Sequence, residues 1–198
     1  MDLATLQKIS TQILSREVPS YKRYLYSKID FNSKLIGIKG ARGAGKSTIL
    51  LQYEKSLEYP ISKILYVSCD HPAMSGVSLY DIAEAFYARG GKLFIIDEIH
   101  KNENFSKDLK AIYDVFDLQV LFSCSYALQI EYSSADLSRG AVIHTLGVLS
   151  LREFCELQTN ETFQSYLLED ILKNHEDITF EILKKIRPLE QFNNYLKY

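Results

Sequence analysis

Apolar residues recur along this chain with two different periods, and the switch between them predicts the elements. From residue 3 to 28, Leu3, Leu6, Ile9, Ile13 and Leu14, then Tyr21, Tyr24, Leu25 and Tyr26, fall at helical spacing, and Pro19 divides them into two short helices, each burying one face. Short apolar runs bounded by polar or glycine turns then take over, at residues 34–39, 63–69, 92–97, 119–124 and 141–146. Between them lie helical patterns: Ile49, Leu50, Leu51 and Tyr53 after the first run, then residues 78–89 and 104–116. Strands that are apolar throughout, alternating with helices, belong to a parallel sheet buried on both faces with the helices as crossovers. The expected fold class is therefore α/β, a five-stranded parallel sheet sandwiched by helices.

After about Leu149 the strand pattern stops. Phe154, Tyr166, Leu167, Ile171, Ile182, Leu183 and Ile186 recur at helical spacing, interrupted by Asn174-His175-Glu176-Asp177 and by Pro188. The organisation expected is N-terminal helices over 1–30 packing on a core over 31–150, followed by a helical extension over 151–198.

Composition narrows the class. With 46% hydrophobic and 24% charged residues the chain lies far from disordered, collagenous or coiled-coil sequences. The net charge of −2 supplies no bulk field for nucleic acid or an acidic membrane. Apolar runs such as Leu93-Phe94-Ile95-Ile96 fall far short of the roughly 20 residues of a membrane span. Met1-Asp2-Leu3-Ala4 has no basic region leading into an apolar one, so no secretory signal is visible and a cytoplasmic location is expected. Cys69, Cys124 and Cys155 sit in apolar surroundings without a C-x-x-C pair, which fits reduced thiols rather than zinc ligands.

One motif carries chemistry on its own. Gly40-Ala41-Arg42-Gly43-Ala44-Gly45-Lys46-Ser47 matches G-x-x-x-x-G-K-[ST], a pattern that an average chain of this length shows by chance roughly 1% of the time. It follows an apolar strand and opens a helix, the context a phosphate loop needs. Glycines let successive backbone N–H groups turn toward phosphate oxygens, the helix adds its positive end, Lys46 reaches the β and γ phosphates, and Ser47 ligates Mg²⁺. Thr48 completes the stretch expected to line the nucleotide, while Arg42 is expected to face outward.

A second motif narrows the chemistry. Leu93-Phe94-Ile95-Ile96-Asp97-Glu98 ends a strand in two acids, at the sheet edge where the phosphate loop also lies. Asp97 there would hold Mg²⁺ and Glu98 would polarise an attacking water. Ser123 or Ser125, ending the run 119–124, could stand between the acids and a γ-phosphate, and Asp70 ends another strand at the same edge. Arg139 precedes the last strand and is a candidate finger to a γ-phosphate, in its own chain or a neighbour's. His100 trails the acids and could touch the site or a partner. Lys22-Arg23 and Lys184-Lys185-Arg187 are the local basic clusters, of a kind that usually forms solvated faces.

Taken together, Gly40 to Ser47, Leu93 to Lys101, Leu121-Phe122-Ser123-Cys124-Ser125, Asp136-Leu137-Ser138-Arg139 and Leu149-Ser150-Leu151-Arg152-Glu153-Phe154 resemble the prokaryotic ATPases of the AAA+ superfamily, in many of which a domain of unknown function follows the ATPase. The resemblance covers about residues 20 to 158. It implies a P-loop NTPase core with the catalytic glutamate, Glu98, beside the Mg²⁺-binding aspartate, Asp97. Ser123 matches the threonine of the family's usual Thr-Gly-Ser, and Ser138 stands where many relatives have glycine before the arginine. Phe192 to Tyr198 looks like the opening of the family's second domain, so a truncated chain is expected.

The function expected is Mg²⁺-dependent ATP binding and hydrolysis, with Lys46, Glu98, Ser123 and Arg139 as catalytic residues, coupled to conformational change in a partner. That partner is unidentified, with DNA as a candidate, and a homo-oligomer is a separate candidate assembly. The alternatives are a nucleotide-gated switch that hydrolyses little and a small-molecule kinase. Against the kinase stand scattered arginines and the Asp97-Glu98 pair, which favours water as acceptor.

Overall fold

The computed structural model describes residues 2–125 and 140–197, which divide into two units, Met1–Val148 and Leu149–Tyr198. In the first, α1 (Leu3–Leu14) begins where the Asp2 carboxylate accepts the Thr5 N–H at 2.8 Å, satisfying one of the helix's unpaired donors. Five strands and three helices then alternate in part: β1 (Leu35–Gly40), α2 (Lys46–Lys55), β2 (Ile64–Ser68), α3 (Leu79–Ala88), β3 (Leu93–Asp97), α4 (Phe105–Val115), β4 (Gln119–Cys124) and β5 (Ala141–Leu146). The strands pair in parallel in the order β2-β3-β4-β1-β5. The fold is α/β, as the sequence pattern predicts.

Successive strand residues feed opposite layers, as the pleat requires. Phe94 and Ile96 pack with α3 and α4 through Phe86, Leu109 and Ile112, whereas Leu93 and Ile95 pack with α2 through Ile49 and Leu50. Each fully buried side chain of this size contributes about 1.5–3 kcal/mol of transfer free energy, which explains why these strands tolerate almost no polar residue. The edge strand β2 is covered by α1. There the buried Ser10 hydroxyl accepts the Tyr66 N–H at 2.8 Å, filling a position that a further strand would otherwise take.

The second N-terminal helix expected from Tyr21, Tyr24, Leu25 and Tyr26 does not form, and a single 3-10 turn, Tyr26–Lys28, stands in its place. Gln52 Nε2 donates to the Pro19 and Tyr21 carbonyls at 2.7 and 2.8 Å, taking acceptors that a helix would need. A segment this short has too few internal hydrogen bonds to outweigh nucleation.

The second unit is helical. In α5 (Leu151–Thr159) the Ser150 hydroxyl accepts the Glu153 N–H and the Glu153 carboxylate accepts the Ser150 N–H, a reciprocal cap. The interruption expected at 174–177 falls inside α6 (Leu168–Lys185), where Asn174 leaves helical geometry at φ −127° and two helical stretches meet at a kink. Pro188 opens α7 (Pro188–Tyr195), and the Tyr195 hydroxyl donates to the Leu149 carbonyl at 2.7 Å. Cys124 and Cys155 are buried and Cys69 half-buried, all three as free thiols. Among the described residues no helix is long and apolar enough to cross a membrane.

Candidate active site

The sheet order decides what meets at its carboxyl edge. β4 lies between β1 and β3, so the loop leaving β1 and the acids ending β3 are separated by one strand, and Ser123 occupies the gap between them. The loop is shaped by its glycines. A side chain on Gly40 would place its Cβ 2.5 Å from the Leu146 carbonyl oxygen of β5, and Gly45 turns into α2 at φ +96°, a left-handed conformation that glycine adopts at little cost. The first N–H groups of α2 have no partner within their own helix and, with its dipole, suit an anion.

Lys46 lies at this helix start with its side chain buried. Its Nζ donates to the carbonyls of Gly40 at 3.2 Å and Ala41 at 3.0 Å, and stands 3.7 Å from Glu98 Oε1. Beside it the Ser47 hydroxyl donates to Asp97 Oδ2 at 2.7 Å. The same oxygen accepts the Tyr66 hydroxyl at 2.7 Å, and the Ser123 hydroxyl donates to Oδ1. Three hydroxyls therefore converge on one buried carboxylate. Burial first, and the Asp97 charge second, push the Tyr66 phenol well above its ordinary value, so it remains a donor. The same two causes hold the Cys69 thiol up at about 12.

Glu98 follows with its backbone at φ 51°, ψ 43°, left-handed for a residue with a long side chain. That conformation costs roughly 1–2 kcal/mol, and the Ser123 hydroxyl oxygen accepts the Glu98 N–H at 3.0 Å, helping to hold it. The turn throws the Glu98 carboxylate between Lys46 and His100, whose Nε2 is 3.4 Å from Oε2. His100 in turn shares a 3.0 Å hydrogen bond with the Ser125 hydroxyl. Oxygen donors from Ser47 and Asp97, side by side, are the ligand type a hard divalent cation takes.

Of the residues singled out in the sequence, the structure brings Lys46, Ser47, Asp97, Glu98, His100, Ser123 and Ser125 together through the contacts just described. Ser123 is fully buried, with its hydroxyl committed to Asp97 and the Glu98 backbone. Arg42 is exposed on the loop, and Thr48 is half-buried in the first turn of α2. Asp70 sits apart with its side chain 64% exposed, 3.8 Å from Lys101. Arg139 lies outside the described residues.

Two residues here have no signal in the pattern. Tyr66 reads as one more apolar member of β2, yet its hydroxyl reaches Asp97. Arg23, which sits in a basic pair of the solvated kind, is instead buried and donates to the Ala44 carbonyl of the loop at 2.6 Å. Gln52 draws the backbone around it inward against α2.

A family described as AAA domain matches residues 32–155. An uncharacterised protein of Methanocaldococcus jannaschii, MJ1637, is 28% identical over 192 residues, covering 88% of this chain and 40% of its own length. The chain thus spans about two-fifths of that relative. Among solved structures, AMPPCP-bound DnaA from Aquifex aeolicus aligns with a TM-score of 0.44 at 13% identity, over 97% of this chain and 66% of that one.

Proposed function

The chain belongs to the AAA-domain family, and from that premise we propose that it binds ATP with Mg²⁺ at residues 40–48 and hydrolyses the γ-phosphate bond. The observation that carries this reading is the 2.7 Å hydrogen bond from Ser47 to Asp97, which joins the start of α2 to the first of the two acids.

In this reading Gly40, Ala41, Arg42, Gly43, Ala44, Gly45 and Thr48 supply the backbone lining, and Lys46 exchanges its carbonyl partners for phosphate oxygens. Ser47 and Asp97 hold Mg²⁺, which when bound neutralises charge developing on the β and γ oxygens. Glu98 takes the proton of the attacking water as its oxygen bonds to phosphorus and the ADP oxygen leaves. Ser123 fixes both acids. Arg139 is assigned to the γ-phosphate of its own or a neighbouring chain. Hydrolysis would drive a conformational change in a partner, with DNA and a second copy of the chain as candidates.

Titration of the chain with ATP and Mg²⁺, followed by a turnover assay, tests this. Saturable binding lost in Lys46→Ala, with phosphate release, is the expected result. Equal affinity in wild type and Lys46→Ala would overturn it.

A second reading, a nucleotide-gated switch with little hydrolysis, is favoured by one feature. Glu98 Oε1 stands 3.7 Å from Lys46, an ion pair that competes with water for the carboxylate. Saturable binding without turnover would select this reading.

A further inference from the structure

Arg23 is a cation with 9% of its surface exposed. Its Nη1 donates to the Ala44 carbonyl at 2.6 Å, and its Nη2 to the carbonyls of Gly147 and Val148 at 3.1 Å each. One arm of the guanidinium fork therefore grips the glycine-rich loop and the other grips the two residues that follow β5. A planar fork can serve both places at once, whereas a lysine ammonium, a compact point charge, cannot.

The consequence follows from the peptide unit. In a trans peptide the C=O and N–H point to opposite sides, and no cis bond occurs among the described residues. A donor that fixes the Ala44 oxygen on one side thus fixes the Gly45 N–H on the other. Gly45 sits at φ +96° and, as glycine, meets little steric resistance to rotation of that plane. Rotation would replace an N–H facing the cradle with a carbonyl oxygen, turning a donor to phosphate into an acceptor that repels it.

We propose that Arg23 is a positioning residue for the phosphate-binding loop: it locks the Ala44–Gly45 peptide with its N–H toward the phosphates and ties that setting to the end of β5. The proposal rests on the ATP-binding reading of residues 40–48. Because cradle amides serve the α and β phosphates, ADP and ATP should depend on Arg23 equally.

The test compares wild type, Arg23→Gln and Arg23→Lys. ¹⁵N relaxation dispersion of the nucleotide-free chain reads motion of the Gly45 amide on the microsecond to millisecond scale. Wild type should show one state at Gly45. Both variants should show exchange there while β4 amides stay unchanged, and both should bind ATP and ADP about tenfold more weakly, the loss expected of one positioned donor. A residue that only supports the fold would lower the melting temperature and leave the affinity of the folded chain unchanged.

A folded Arg23→Lys with wild-type affinity and a single Gly45 state overturns the proposal. If the variants do not fold, wild type decides alone, since a Gly45 amide already exchanging between two states overturns it and a single state supports it. The spectra require no nucleotide. Failure of wild type to bind ADP would therefore sink the ATP reading without moving them.

Discussion

The Ser47 hydroxyl donates to Asp97 Oδ2 at 2.7 Å, joining the first turn of α2 to the last residue of β3 across 50 positions of sequence. Removing either partner should separate metal binding from folding. Ser47→Ala deletes one donor and one oxygen ligand, so ADP affinity in Mg²⁺ should fall about tenfold while affinity in EDTA stays put. Asp97→Asn also leaves three hydroxyl donors competing for one amide oxygen, adding a stability loss of about 1–3 kcal/mol. Calorimetric titration with and without Mg²⁺, beside thermal melts, reads both. Equal losses in EDTA and Mg²⁺ for Ser47→Ala would remove the metal from the account.

Tyr66 shares that carboxylate oxygen, also at 2.7 Å, from inside the sheet. Tyr66→Phe keeps the ring in its layer and removes only the hydroxyl, a change of about 1 kcal/mol for a buried hydrogen bond. We expect the Mg²⁺ concentration that half-saturates ADP binding to rise a few-fold, with affinity in EDTA unaltered. Mn²⁺ titrations followed by electron paramagnetic resonance give the same comparison directly. An unshifted half-saturation would reduce Tyr66 to a packing residue.

The thiols of Cys69 and Cys124 are both pushed up to about 12 from an ordinary 9.0, burial being the larger cause in each. A group whose folded value is raised stabilises the fold fully below its unfolded value, and that contribution is lost as pH rises from about 9 toward 12. At pH 8 the folded thiolate fraction is correspondingly small, so iodoacetamide should modify both at least about 10²-fold more slowly in the native chain than in urea. Mass spectrometry of timed digests measures this. Fast native labelling of Cys124 would show that its strand opens readily.

The sheet and the core of this site were legible because each rests on local pattern. Four of the five apolar runs form buried parallel strands, whereas the fifth, β5, pairs at the sheet edge and is half-buried to exposed except at Leu146; the glycine-lysine-serine loop and the Asp97-Glu98 pair carry their chemistry in adjacent residues. What escaped depends on contacts between distant segments. Tyr66 in Ile64-Leu65-Tyr66-Val67 looks like any aromatic core residue until β2 is paired with β3. Arg23 lies inside the stripe at 21–26 whose spacing predicts a helix, and only the folded loop shows the carbonyl it grips. The tyrosine stripe at 21–26 failed as a helix for a related reason, since side chains spaced to meet a core do so equally well from an irregular segment when Gln52 holds its carbonyls.

Glu98 combines a strained backbone with the carboxylate assigned to activate water, and two substitutions part the strain from the chemistry. Glu98→Gln keeps the shape, so nucleotide affinity should persist, because in the proposed reading the loop, Lys46, Ser47 and Asp97 are the residues that hold ATP and Mg²⁺. Turnover should drop by about 10² to 10⁴, the range for loss of a positioned general base. Glu98→Gly loses the carboxylate too, but glycine accepts φ 51° freely while the backbone N–H still donates to Ser123. That variant should be as inactive as Glu98→Gln yet more stable than wild type by about 0.5–1 kcal/mol, glycine's greater unfolded freedom offsetting part of the relieved strain. Denaturant midpoints and single-turnover phosphate release measure the two effects independently. A Glu98→Gly chain less stable than wild type would mean that the side chain's contacts with Lys46 and His100 outweigh the strain. A Glu98→Gln chain that hydrolyses at the wild-type rate would place the base elsewhere.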